Sequence, residues 1–138
     1  MPFELLEHEA DVGVKAWGRT WSEAFTDAAR GLFEISVDTK TVEPREERIV
    51  ELSADSMESL FLDFLNELIL LRDTEWMLFS KFKVVVDEKS RSLKATAWGE
   101  KIDQKKHKTR VEAKAATPAG LRAWEEKGQK FVQCIVDV

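Results

Sequence analysis

The chain is 138 residues long, 34% charged and 43% hydrophobic, with 21 Lys and Arg against 26 Asp and Glu for a formal net charge of −5. This length encloses one ordinary core in a single domain, residues 1–138, and a lone cysteine excludes an internal disulfide framework. The acidic balance excludes affinity for nucleic acid at large, which comes mostly from neutralised phosphates. Without a basic leader or an uninterrupted apolar span, the reading is a cytoplasmic protein with no membrane segment.

Taken in chain order, residues 3–6 and 12–17 have strand character and are joined by the polar run Glu7-His8-Glu9-Ala10-Asp11. Thr20-Trp21-Ser22-Glu23 is a capping box, in which the Thr20 hydroxyl can accept from the Glu23 amide while the carboxylate reaches back. Trp21, Ala24, Phe25, Ala28, Ala29, Leu32 and Phe33 follow at helical spacing. A loop containing Pro44 leads to a strand over residues 48–52. A second helix starts near Asp55-Ser56-Met57-Glu58 and runs to about Leu71. Its apolar set is broad enough for deep burial, while Asp63, Asn66 and Glu67 form a polar stripe that reads as a solvated face.

The remainder is rich in strands, at residues 79–86, 93–98, 110–115, 121–124 and 131–136, with Pro118 to Gly120 as an interruption. Cys134 lies in the last apolar run and reads as a small core side chain. Residues 101–114 gather Lys101, Lys105, Lys106, Lys108, Arg110 and Lys114 against Asp103 and Glu112. That segment reads as an exposed polar hairpin, or more sharply as a contact surface for an acidic partner or RNA. Two helices on one or two mixed, mostly antiparallel β-sheets, an α+β fold, is the economical assembly.

Motifs mostly exclude. There is no phosphate-binding G-x-x-x-x-G-K-[ST] loop, no G-x-G-x-x-G, no H-E-x-x-H and no G-x-S-x-G elbow. Two histidines and one cysteine cannot make a zinc site of usual spacing. Trp17, Trp21, Trp76, Trp98 and Trp124 show no RNP-like pattern and read as core or rim packing rather than base-stacking platforms. His8 and His107 each stand beside charged residues without an evident catalytic partner. Two carboxylates stand out. Asp11 immediately precedes an apolar strand, and Asp137 immediately follows one, beside the oxygens of Val138. If the first and last strands are neighbours, these oxygens converge into a set suited to a hard cation. If they are not, both residues simply end strands in solvent.

The run Phe3-Glu4-Leu5-Leu6-Glu7-His8-Glu9-Ala10-Asp11-Val12-Gly13-Val14-Lys15-Ala16-Trp17-Gly18 resembles the archease signature, H-x-A-D-x-G followed by a strand ending in an aromatic and Gly. Four further stretches agree in order. They are the helix from Ala24-Phe25 to Gly31-Leu32-Phe33, the segment Leu65-Asn66-Glu67-Leu68, Gly99-Glu100 with Asp103 and His107, and the ending Asp137-Val138. The resemblance implies a non-catalytic accessory protein for an RtcB-type tRNA-splicing RNA ligase, which promotes ligase guanylylation and multiple turnover. It also implies a divalent-metal site at Asp11, Asp137 and Val138, for Ca2+ first and Mg2+ or Mn2+ as alternatives. No nucleotide would be bound by the chain itself, and tRNA would be met only through the ligase. His8, Glu100, His107 and Lys114 are the further candidates for contact with the ligase.

Two departures accompany the resemblance. Glu9 replaces the family's Thr, adding negative charge near the site. Pro118-Ala119 replaces Tyr-His in the pattern V-K-A-x-T-Y-H, so no role carries over for that His, and proline restricts the local backbone. Two other readings stand beside the ligase activator. One is a chaperone or specificity modulator of an RNA-modifying enzyme such as a tRNA methyltransferase. The other is a metal-dependent hydrolase built on Asp11 and Asp137.

Overall fold

The computed structural model describes residues 2–8 and 11–138, with Glu7 and His8 by backbone alone. The strands are β1 (Phe3–His8), β2 (Asp11–Gly18), β3 (Glu46–Ser53), β4 (Met77–Asp87), β5 (Ser92–Lys101), β6 (Ala115–Glu126) and β7 (Gln129–Asp137). The helices are α1 (Trp21–Ser36), α2 (Met57–Glu75) and a single turn, α3 (Gln104–His107). One sheet has the order β1-β2-β7-β6 and the other β3-β5-β4. Every described pairing is antiparallel. The α+β class holds, with two sheets and no parallel pair among the described strands.

The two long helices lie between the sheets. α1 packs on β2 and β7 of one sheet and on β4 of the other, while α2 touches β6 and also β3, β4 and β5. A helix covered from two sides must be apolar beyond one stripe. Accordingly α1 buries Asp27, Gly31, Ile35 and Ser36 in addition to the stripe visible in the sequence. Phe25 meets Phe61 and Phe64 of α2, and Phe33 meets Phe79 and Phe82 of β4, so aromatic edges and faces join the layers. Cys134 is fully buried in this core, which pushes its thiol pKa up to about 12.

Both helix starts are capped. Thr20 accepts from the Glu23 amide at 3.1 Å, although the Glu23 carboxylate takes the amide of Arg19 rather than that of Thr20. Ser56 accepts from the Ser59 amide at 3.0 Å. The end of α2 is later than its apolar run suggests. Arg72 extends the spacing of Leu65, Leu68 and Ile69, and the helix stops only where Trp76 turns left-handed.

Three sequence expectations are corrected. Residues 110–114 are not a strand, and residues 101–114 are not a hairpin. The last carbonyls of α1 have no partner within the helix, and they draw this segment across. Arg110 donates its amide to the Ser36 carbonyl at 2.7 Å, and the Ala113 amide reaches Ser36 Oγ at 3.4 Å. The basic charge is partly neutralised there, by Glu43 and Glu100 at Lys106 and by Glu34 at Arg110. Finally, Asn66 is not a member of a solvated stripe, because its amide is used by β6.

Candidate functional site

Alternation fixes which side chains share the outer face of the four-stranded sheet. Val14 and Ala16 of β2, and Val132, Cys134 and Val136 of β7, are buried under the helices. Successive strand residues point to opposite faces, so the odd-numbered residues of both strands face away from the core. A slip of one residue would expose that whole buried set, which pins the register. In this register Asp11 lies directly opposite Asp137. The same row continues to His8 on β1 and to Ala115 on β6. Residues from the two ends of the chain therefore meet at one end of the sheet.

Directly opposed residues bring their Cβ atoms to roughly 4.5–5.5 Å, close enough for two carboxylates to share a cation. Asp11 is half-buried and Asp137 exposed. Neither forms a salt bridge among the described residues. Val138 follows immediately. The donors are all hard oxygens, the type that Ca2+, Mg2+ and Mn2+ take. Among the described residues no third His, Cys, Asp or Glu side chain joins Asp11 and Asp137 in a metal-type cluster. The side chain of His8, and Glu9 altogether, lie outside the described residues.

Lys114 reaches the row through its backbone. Its amide donates to the Asp137 carbonyl at 2.8 Å, and its side chain is exposed. The adjoining residues of β6 are held by Asn66, from the polar stripe of α2 that the sequence suggests is solvated. The Asn66 side chain accepts from the Ala116 amide at 2.8 Å and donates to the Ala116 carbonyl at 3.0 Å. It thus supplies, from α2, the pair of bonds that a further strand would make to this edge. Beyond it the register shifts, with five steps from Thr117 to Arg122 facing two from Ile135 to Gln133. This bulge contains Pro118 and Ala119, where the sequence departs from the family pattern.

Glu100 and His107 form a separate group. The Asp103 amide donates to His107 Nδ1 at 2.9 Å, so the neutral ring carries its hydrogen on Nε2 and donates to Glu100 Oε2 at 3.0 Å. The Glu43 amide and the Lys106 ammonium also donate to Glu100 Oε2, each at 2.8 Å. Burial alone would raise the Glu100 pKa, but these donors outweigh it and hold the carboxyl down at about 2. The His107 side chain has no exposure, and its ring links Glu100 to the Asp103 amide at the start of α3. No hydrogen bond or ion pair among the described residues joins this group to the Asp11–Asp137 row.

Residues 3–138 match the model of the archease protein family. The chain belongs to the archease family. A protein archease from Sulfurisphaera tokodaii is 42% identical over 134 residues, covering 97% of this chain and 96% of that one. The solution structure of a Methanobacterium thermoautotrophicum protein superimposes with a TM-score of 0.87 at 41% identity, over 99% of this chain and 98% of that one. A Thermotoga maritima structure, described as an archease and possible chaperone, has a TM-score of 0.63 at 19% identity over 96% and 94%, and shares the fold. The match spans both Asp11 and Asp137. No described helix is long and apolar enough to cross a membrane.

Proposed function

We propose that this archease-family chain is a non-catalytic activator of an RtcB-type tRNA-splicing RNA ligase, promoting guanylylation of the ligase and so sustaining multiple turnover. The observation that carries the reading is the direct opposition of Asp11 and Asp137 at one end of the outer sheet face. Two carboxylates set there by register form an acidic tip beside Lys114. A divalent cation, Ca2+ first among the candidates, would be held by Asp11, Asp137 and Val138 and would supply concentrated positive charge at the tip. The chain's own part is positional. β2 and β7 hold the two carboxylates in register, Asn66 holds the neighbouring edge, and Lys114 offers a cation to an anionic group of the ligase. Transfer RNA is then met through the ligase, in the cytoplasm, in keeping with the acidic balance of the chain.

The test is multiple-turnover ligation by the ligase of the same organism, with this protein substoichiometric to ligase. The wild type raises turnover. Asp11→Asn and Asp137→Asn lose at least ten-fold of that increase while keeping a native melting transition, and Lys114→Ala loses part of it. Full activation by both Asp variants would overturn the reading. A second reading, a chaperone for an RNA-modifying enzyme such as a tRNA methyltransferase, draws on the description of the Thermotoga relative as a possible chaperone. It predicts instead that the protein suppresses methyltransferase aggregation with no change in ligation, and that both Asp variants remain active in doing so.

A further inference from the structure

A cleft of about 210 Å³ opens between the end of α2, the start of β4 and the segment that follows α3, separate from the Asp11–Asp137 row. Its apolar wall is Leu78, Ile102 and Val111, the last 50% exposed. Trp76 stands at its rim, 59% exposed, with φ 54° and ψ 52°. A bulky residue in the left-handed region is strained by roughly 1–2 kcal/mol, at a helix end where glycine is the usual choice. The large apolar side chain is thus kept in solvent on a backbone that does not favour it. Strained residues of this kind gather at sites that hold ligands or partners.

Among the polar residues of the lining, which include Asp73, Arg110 and Glu112, Arg72 is buried to all but 6%. Its Nε donates to Asp73 Oδ1 at 3.0 Å. Its Nη2 is 2.9 Å from the same oxygen but not aligned for a hydrogen bond, and 3.7 Å from the exposed carboxylate of Glu112. Nη2 is thus ion-paired to Asp73 but makes no aligned hydrogen bond, and a second, well-placed carboxylate would supply one. Arg72 and Arg110 are matched by Asp73 and Glu112, so the rim has no surplus of positive charge. That balance disfavours a nucleic-acid backbone and suits a protein surface.

We infer that this cleft takes an apolar side chain of a protein partner packed against Trp76, with a carboxylate from the same partner segment replacing Glu112 at Arg72. An aromatic and an arginine converging on a cleft the size of one large side chain is the make-up of an interface anchor. The inference rests on the activator reading for the identity of that partner, the ligase. The cleft would give affinity, while the carboxylate row acts once the partner is bound.

Titration calorimetry of the intact protein against the ligase tests it, with Trp76→Gly and Glu112→Ala as variants. Trp76→Gly removes the anchor but places glycine where φ is positive, so its melting temperature holds within a few degrees and weaker binding is not misfolding. It binds about tenfold more weakly. Glu112→Ala removes the competing carboxylate and binds as tightly as the wild type or several-fold more tightly. Wild-type binding with Trp76→Gly unchanged within twofold overturns the cleft inference alone. Weaker binding by Glu112→Ala overturns the assignment of the carboxylate. Absence of wild-type binding overturns the activator reading and the cleft with it.

Discussion

Asp11 and Asp137 carry like charge at directly opposed strand positions, a destabilising arrangement of roughly 0.2–1 kcal/mol. On the proposed reading, a cation bound between the two carboxylates would relieve this repulsion. In chelator, Asp11→Asn should therefore melt roughly 1–4 °C above the wild type. Added Ca2+ should raise the wild-type melting temperature and leave the variant unmoved, since only a ligand that binds the folded state shifts it. A wild type insensitive to Ca2+, Mg2+ and Mn2+ would remove the cation from the proposal.

Glu100 gives a second residue-level prediction with a definite sign. Its carboxyl is held near pKa 2 in the folded chain against about 4.3 when unfolded. The folded-state value is the lower one, so its contribution to stability is present above about pH 4.3 and is lost as pH falls towards 2. Glu100→Gln should lower the urea midpoint at pH 6, and the gap to the wild type should close between about pH 4.3 and pH 2. A gap that stayed constant with pH would contradict the role given to the Lys106, Glu43 and His107 donors.

Among the elements, much was legible in the sequence because local chemistry agreed with the fold. The Thr20–Glu23 cap, the apolar spacing of α1 and the alternation in β2 and β7 each place a segment by one nearby signal. The opposition of Asp11 and Asp137 was legible only conditionally. Alternation puts each on a face, but nothing local makes β2 and β7 neighbours. The role of Asn66 is hidden in the sequence because its partner, Ala116, is 50 residues away and an amide looks the same whether it meets water or a strand edge. Arg72 fell beyond the expected end of α2, although its spacing from Leu65, Leu68 and Ile69 marks a buried position. The 110–114 alternation is genuine, but the uncapped carbonyl of Ser36 won the backbone.

Asn66 also carries a prediction at this level. Asn66→Ala removes both bonds to Ala116 and leaves its amide and carbonyl unsatisfied beneath α2, a loss of roughly 1–3 kcal/mol. Hydrogen exchange at Ala116 should quicken more than at Val132, which is paired within the sheet. Because β6 also borders Asp137, ligase activation should fall further than stability alone explains. Equal exchange at both amides in the variant and the wild type would show that the clamp does not hold this edge.

For the whole molecule, two sheets enclose two helices, and the closure of the four-stranded sheet by β7 brings the ends of the domain together. The acidic tip is thus a product of topology and depends on the complete domain, whereas the Arg72–Trp76 cleft is a product of helix termination and loop docking. If the activator proposal holds, activation and affinity should for that reason be separable by mutation. The most direct measurement is the amount of guanylylated ligase formed from labelled GTP when the protein is present at one-tenth the ligase concentration. Conversion of most of the ligase by the wild type, with Asp11→Asn and Asp137→Asn close to ligase alone, is the expected result. Equal guanylylation with and without the wild-type protein would contradict the proposed activator role.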